Sequence, residues 1–223
     1  MTETFAVNGR FMAQAMTGVQ RYAHNVVAAL DESLAAGGQR AVLVASQGTD
    51  TPTLQALDTI RGGRLKGHAW EQIELPRLWG GRLLNLCNTA PAMKGDQIVC
   101  IHDANVFTAP ESYSRGFRAA YTTLQPLLAR RSARIATVSH ASARQLARHL
   151  PLRAAEIAVL PNGHEHALAW DPAKADRARA LLAAPEVNER PFVLALGSQA
   201  RPKKLALLAT IAPALAELGV AII

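Results

Sequence analysis

The 223-residue chain reads as an α/β protein built on a doubly wound parallel sheet. Three observations predict it. Short apolar segments alternate with longer segments of helical periodicity along the whole chain. The apolar content is 49% with only 5% aromatic, and it is mostly Ala, Leu, Val and Ile, the residues of strands buried on both faces. The apolar segments also end in Gly, Asn, His, Asp or Ser, as expected where ligands bind beyond the carboxyl ends of parallel strands.

The opening FAVNGRF gives a strand and a turn at Asn8-Gly9. After Thr17-Gly18, the residues Val19, Tyr22, Ala23, Val26, Val27 and Leu30 recur at helical spacing, and Gly37-Gly38 ends the helix. Ala41 to Ala45 is a second buried strand. Residues 46–80 are ambiguous, being dominated by Gly, Pro, Thr and Arg, with one short helix around Trp70 to Leu75. RLLNLC is a strand followed by the turn NTAP, and QIVCIHD is a strand ending at His102-Asp103. Residues 111–131 read as helix despite Pro126, RIATVS as strand, and ASARQLARHL as a helix stopped by Pro151. EIAVLP is a strand ending at Asn162-Gly163. Asp171-Pro172 caps and starts a helix. PFVLALGS is a strand, Lys203 to Leu218 a helix, and GVAII a strand. The domain expectation is therefore residues 1–184, a linker at 185–190 rich in Glu and Asn, and 191–223 as the first elements of an incomplete second α/β domain. About 33 residues cannot bury an independent core.

The formal net charge of +7 comes mostly from Arg spread along helices. A nucleic-acid binder clusters its charge and interleaves aromatics; neither pattern occurs, so no nucleic-acid partner is expected. An anionic small ligand or an anionic membrane surface fits the excess, and so do solvated helix faces. Cys87 and Cys100 lie in apolar strand-like stretches and read as buried free thiols in a reducing compartment. The start Met1-Thr-Glu-Thr is not a signal peptide, and the longest uncharged apolar run, Leu205 to Ala216, is shorter than a membrane span. A cytoplasmic protein follows, soluble or peripheral at the inner face of the membrane.

Several chemistries lack their motif. No GxGxxG follows the first strand, no P-loop exists, no GxSxG occurs, and no Tyr-x-x-x-Lys pair is present. His164-Glu165-His166 has no third ligand placed near it, so no metal is expected. Three places carry chemistry instead. Gly18 heads the first helix, where a ligand can approach free N–H groups and the positive end of the helix dipole; an ordinary helix start has the same look. His102, expected at an exposed strand end with Asp103 after it, can exchange a hydrogen bond with a substrate hydroxyl; a capped strand end is the alternative. Arg201, Lys203 and Lys204 follow the strand PFVLALGS and can hold a phosphate, or merely form a solvated basic turn.

Taken together, NGRF…TGVQRYAHNVVAAL, VCIHDANVFTAPESYS, ARIATVSHASARQL, EIAVLPNGHEHAL and VLALGSQARPKKLALL resemble, in order, the group 1 (family 4) retaining glycosyltransferases of the two-domain GT-B fold. The resemblance is nearest to members that build bacterial polysaccharides with mannosyl or related residues. It implies a Rossmann-like amino-terminal, acceptor-side domain. It also implies transfer of a sugar from a nucleoside-diphosphate sugar to a glycan or lipid-linked acceptor with retention, without a metal or other cofactor. In that scheme Gly18 lies near the donor phosphate and the acceptor, His102 contacts the transferred sugar, Asp103 shapes the loop after it, and Ser139 ends the next strand. Arg201 and Lys203 hold the diphosphate. Lys204 departs from the family, which usually has Asn or Gly there. The family's paired-glutamate motif is not in the sequence, so a truncated member is expected: inactive alone, a weak binder of nucleotide sugars, and self-associating through 191–223. The alternative is a binding half that serves as a partner subunit.

Overall fold

The computed structural model describes residues 4–164, 168, 171–185, 187, 190–195 and 205–223. Arg201, Lys203 and Lys204, with Glu165 and His166 of the His-Glu-His stretch, lie outside the described residues.

The chain groups into two compact units: Met1–Pro110 with Ser114–Gly163, and Glu111–Tyr113 with His164–Ile223. In the first unit, seven strands form one sheet in the order β3-β2-β1-β4-β5-β6-β7, every neighbouring pair parallel. They are β1 (Ala6–Asn8), β2 (Ala41–Ser46), β3 (Leu57–Gly62), β4 (Leu83–Asn85), β5 (Gln97–Cys100), β6 (Arg134–Thr137) and β7 (Ala158–Val159). Helix α1 (Gly18–Ala36) links β1 to β2. A helical run α2 (67–78) links β3 to β4. Helices α3 (Asn105–Thr108) and α4 (Arg115–Arg131) link β5 to β6, and α5 (His140–Leu146) leads to β7.

Side-chain alternation assigns the helices to faces. Val7, Leu43, Cys100 and Ala136 point to the layer of α1, where they pack with Tyr22, Ala23, Val27 and Leu34. Their neighbours Ala6, Val42 and Val44 meet Trp70 and Leu75 of α2 on the other face. Val99, Ile101 and Ile135 meet Leu128 of α4 with Ala143 and Leu146 of α5. The expected doubly wound parallel sheet is present. The chain leaves β1 in one direction through α1 and returns past it to β4 through α2. Crossovers on opposite faces with opposite travel keep both right-handed.

Residues 46–80, ambiguous in the sequence, supply the edge strand β3 and α2. β3 alternates imperfectly, with Asp58 and Arg61 exposed, as an edge strand permits. Asp31 on α1 fixes its entrance by accepting the N–H groups of Gln55, Ala56 and Leu57 at 2.7–2.9 Å. Inside α2 the Leu75 N–H reaches back five residues to the Trp70 carbonyl, a π-turn. It places Trp70, Glu71 and Leu75 together on the buried side. Gly9 is required for a packing reason: a Cβ there would sit 2.6 Å from the Val44 carbonyl oxygen of β2.

The second unit holds a short βαβ segment. β8 (Phe192–Val193) pairs in parallel with β9 (Ala221–Ile222), and α7 (Leu205–Glu217) crosses between them. Ahead of it, α6 (Asp176–Leu182) follows a turn in which the Asp171 carboxylate accepts the Ala173 N–H at 2.9 Å, as its Asp-Pro start predicts.

Candidate functional site

The reversal of strand order falls between β1 and β4, and crevices beyond the carboxyl ends at such a point are where open α/β sheets bind ligands. The residues leaving β1, β4, β5 and β6 meet on this edge.

Gly18 is the first residue of α1 and is exposed. A Cβ built on it meets nothing within 4 Å, so no packing contact requires glycine here. The preceding Thr17 does not cap the helix with its side chain; its hydroxyl donates to Gln20 Oε1, whose amide in turn donates to Gln14 Oε1 at 3.0 Å. The first N–H groups of α1 thus keep their donors facing outward without a side-chain acceptor.

One turn along, the Tyr22 ring meets the His102 ring edge-on, with centroids 4.8 Å apart. This contact puts the first turns of α1 against the residue that follows β5. The expectation of an exposed His102 is corrected: only 7% of the residue is accessible. The physical reason lies in the β4 loop, which wraps over it. His102 Nε2 lies 2.8 Å from the Leu86 carbonyl oxygen, and its backbone N–H donates to Asn88 Oδ1 at 2.7 Å. Asn88 sits at φ 66°, a left-handed position that asparagine tolerates. A carbonyl only accepts, so Nε2 carries the proton and Nδ1 retains its lone pair. Burial lowers the His102 pKa, outweighing the Leu86 bond and the charge of Asp103, which act the other way. The ring is therefore neutral at pH 7. Asp103 accepts the Asn105 N–H at 2.8 Å and so shapes the start of α3.

Ser139 is one strand further along. Thr137 at the end of β6 donates to the His102 carbonyl at 3.4 Å, which ties the two strand ends together. Ser139 Oγ caps α5 by accepting the Ser142 N–H at 3.0 Å. It lines a cavity of about 600 Å³ with Val138, His140, Ala154 and Pro161.

A polar network between β1 and β4 was not legible from the sequence. Glu71 is fully buried on α2. Its Oε1 accepts Asn8 Nδ2 at 2.8 Å, Arg10 Nε at 2.9 Å and the Thr89 hydroxyl at 3.1 Å. Arg10 Nη2 also reaches Thr89 Oγ1 at 2.8 Å, and Asn8 Nδ2 reaches Asn85 Oδ1 at 2.9 Å. Glu71 Oε2 faces His68 Nδ1 at 3.2 Å, and His68 Nε2 lies 3.3 Å from the Tyr121 hydroxyl of α4. Burial would raise the Glu71 pKa, but the hydrogen bond from His68, the charge of Arg10 and the bonds from Asn8 and Thr89 together hold it below the ordinary value. Burial likewise raises the Tyr121 phenol, which stays protonated and donates. The available signal was polar residues, Asn8 and Asn85, inside apolar strand runs. Nothing in a single sequence pairs them across 77 positions.

A second, more polar cavity of about 520 Å³ lies over the ends of β1, β2 and β3, lined among others by Arg10, Gln14, Ser46, Asp50, Lys66 and Trp70. Among the described residues no cluster of His, Cys, Asp or Glu could hold a metal ion, and no helix is long and apolar enough to cross a membrane. Comparison with protein-family models and with curated proteins finds no match.

Proposed function

We propose that the chain is the acceptor-side half of a retaining glycosyltransferase that uses a nucleoside-diphosphate sugar, with residues 191–223 the first elements of its donor-binding domain. The acceptor is a glycan or a lipid-linked glycan in polysaccharide assembly, and the transferred sugar is mannosyl or a related residue. One observation carries the reading: α1, glycine-headed and without a side-chain cap, contacts a neutral His102 at the carboxyl edge of the sheet through Tyr22, one turn in from its start.

Those two groups suit the two halves of the reacting donor. Negative charge grows on the departing diphosphate, and outward N–H groups at a helix start stabilise it without reorganising. A neutral imidazole accepts a hydrogen bond at Nδ1 from a sugar hydroxyl and places no positive charge beside the oxocarbenium-like ring. Asp103 supports the loop that carries His102, and Ser139 closes the edge on the β6 side. The resemblance gives Arg201, Lys203 and Lys204 a part in holding the donor diphosphate. The βαβ segment of β8, α7 and β9 is the unit with which a second parallel α/β sheet begins.

In this scheme the first unit supplies the acceptor wall of the site. We expect no transfer from the chain in a radiolabelled-donor assay and weak, millimolar binding of the donor. Titration with GDP-mannose and UDP-glucose, followed at the amides of Gly18 to Gln20 and at the His102 ring by NMR, tests the reading. Saturable shifts at both places are expected. Donors that leave both unmoved would refute it.

A further inference from the structure

The network around Glu71 holds more than a buried ion pair. Its Oε1 is saturated by three donors from β1, the turn after it and the β4 loop, and its Oε2 receives one donor, His68 Nδ1. The carboxylate is 1% exposed, whereas the His68 side chain is 47% exposed. A buried carboxylate that accepts a hydrogen bond from the Nδ1–H fixes the imidazole tautomer and leaves Nε2 as the acceptor. Opposite Nε2 stands a hydroxyl, that of Tyr121, at a long 3.3 Å, with the two rings edge-on and their centroids 5.7 Å apart. The imidazole acceptor is thus held by a rigid interior and met at a long distance by an alcohol that Arg10 of the same network also hydrogen-bonds.

We propose that His68 is a hydroxyl-binding residue for the sugar-bearing acceptor, positioned by Glu71, and that the Tyr121 hydroxyl stands in the place a substrate hydroxyl takes. This rests on the glycosyltransferase reading for its substrate class. The ligand is a neutral polyol whose hydroxyl donates to His68 Nε2 while the Tyr121 phenol swings away to donate elsewhere. Glu71 acts through His68 and touches no substrate. Because the ring already has its tautomer, the bond costs little ordering when it forms.

The test uses the full chain with labelled histidine. In the neutral ring, the His68 nitrogens should show Nδ1 protonated and Nε2 bare. Methyl α-mannopyranoside and myo-inositol, added to high millimolar concentration, should shift the Nε2 resonance of His68 saturably. Tyr121→Phe removes the internal competitor, so its apparent affinity should rise about two- to five-fold. His68→Gln, at a half-exposed position, should keep the fold by circular dichroism and lose the sugar response elsewhere in α2. Glu71→Asp, checked for folding first, should leave His68 in mixed tautomers and weaken the response. A wild-type His68 with Nε2 protonated overturns the proposal, as does an Nε2 signal that neither sugar moves, or a Tyr121→Phe variant of unchanged affinity. Donor-induced shifts at Gly18 and His102 are read separately. If they persist while His68 is silent, this inference fails alone; if they vanish while His68 responds, the transferase reading fails alone.

Discussion

Arg10→Met should be among the most damaging single substitutions in the first unit. Arg10 is 6% exposed and its partner Glu71 1% exposed, joined at 2.9 Å. Removing the guanidinium leaves a carboxylate in the interior with Asn8, Thr89 and His68 for support but no full cation pressed against it. Breaking one side of a buried pair costs about 3–5 kcal/mol. The Arg10 bond to Thr89 goes with it, which favours the upper part of that range. In a domain of this size each kcal/mol moves Tm by about 2–4 °C, so the midpoint should fall by roughly 10–15 °C. The pH dependence has a defined sign. Glu71 has a lowered folded pKa, so its contribution is present above the ordinary glutamate value and is lost as pH falls toward the folded one. Arg10→Met should shrink that contribution, because the charge of Arg10 helps hold the pKa down. Differential scanning fluorimetry and urea titration of the variant, of Glu71→Met and of the double variant give the coupling. The double variant should recover at least about 2 kcal/mol over the sum of the singles. Strict additivity, or a single variant within about 1 kcal/mol of wild type, would refute the account of Glu71 as an ionised buried group.

Three other outcomes are expected. Wild-type stability should decline as pH falls below about 6.5, because the unfolded His102 takes up a proton that the buried ring resists; His102→Gln, whose amide can still donate to Leu86, should lose most of that decline in urea titrations from pH 7 to 5. His102→Ala would leave the Leu86 carbonyl unpaired and so cost stability as well as any activity, which makes the glutamine variant the informative one. Cys87 and Cys100, pushed by burial up to about 12 and about 11, should resist a thiol reagent at pH 8 in the native protein and react only after denaturant is added. The tail carrying β8, α7 and β9 exposes Phe192, Leu194, Leu207, Ile211 and Leu218, so sedimentation should show self-association that weakens when residues 191–223 are removed. A monomeric full chain would end that expectation.

The sheet was legible because its signal is local. AVLVA and QIVCI are apolar runs that only a strand buried on both faces needs, and the Val19–Leu30 spacing permits one helix face. The edge strand β3 was not, because LDTIRG is half exposed and carries Asp58 and Arg61 where a central strand would be apolar. α2 read as a fragment because its π-turn breaks the 3.6-residue spacing. The candidate site divided the same way. His102 announces itself by following an apolar strand, and Gly18 by heading a helix of clear periodicity. The burial of His102 depends on Leu86 and Asn88, residues from another strand's loop. Glu71 looked like any charge on a short helix; only the fold brings it to Asn8 and Thr89.

The position of β1 has a consequence for how the chain acquires its structure. β1 is flanked by β2, which follows it closely, and by β4, whose Asn85 lies 77 positions after Asn8. On the ribosome, at about 5–20 residues per second, roughly 4–15 s separate the synthesis of those two asparagines. During that interval β1 can join the β2–β3 pair through β2, but its other edge stays unpaired and the carboxylate of Glu71 lacks Thr89 of the β4 loop. The nascent sheet is therefore an open template, hazardous to leave idle. Closure of the Asn8–Glu71–Asn85 knot is a long-range event that comes after local pairing. Substitutions there should act mainly on the unfolding rate, leaving the refolding arm of a chevron nearly unmoved.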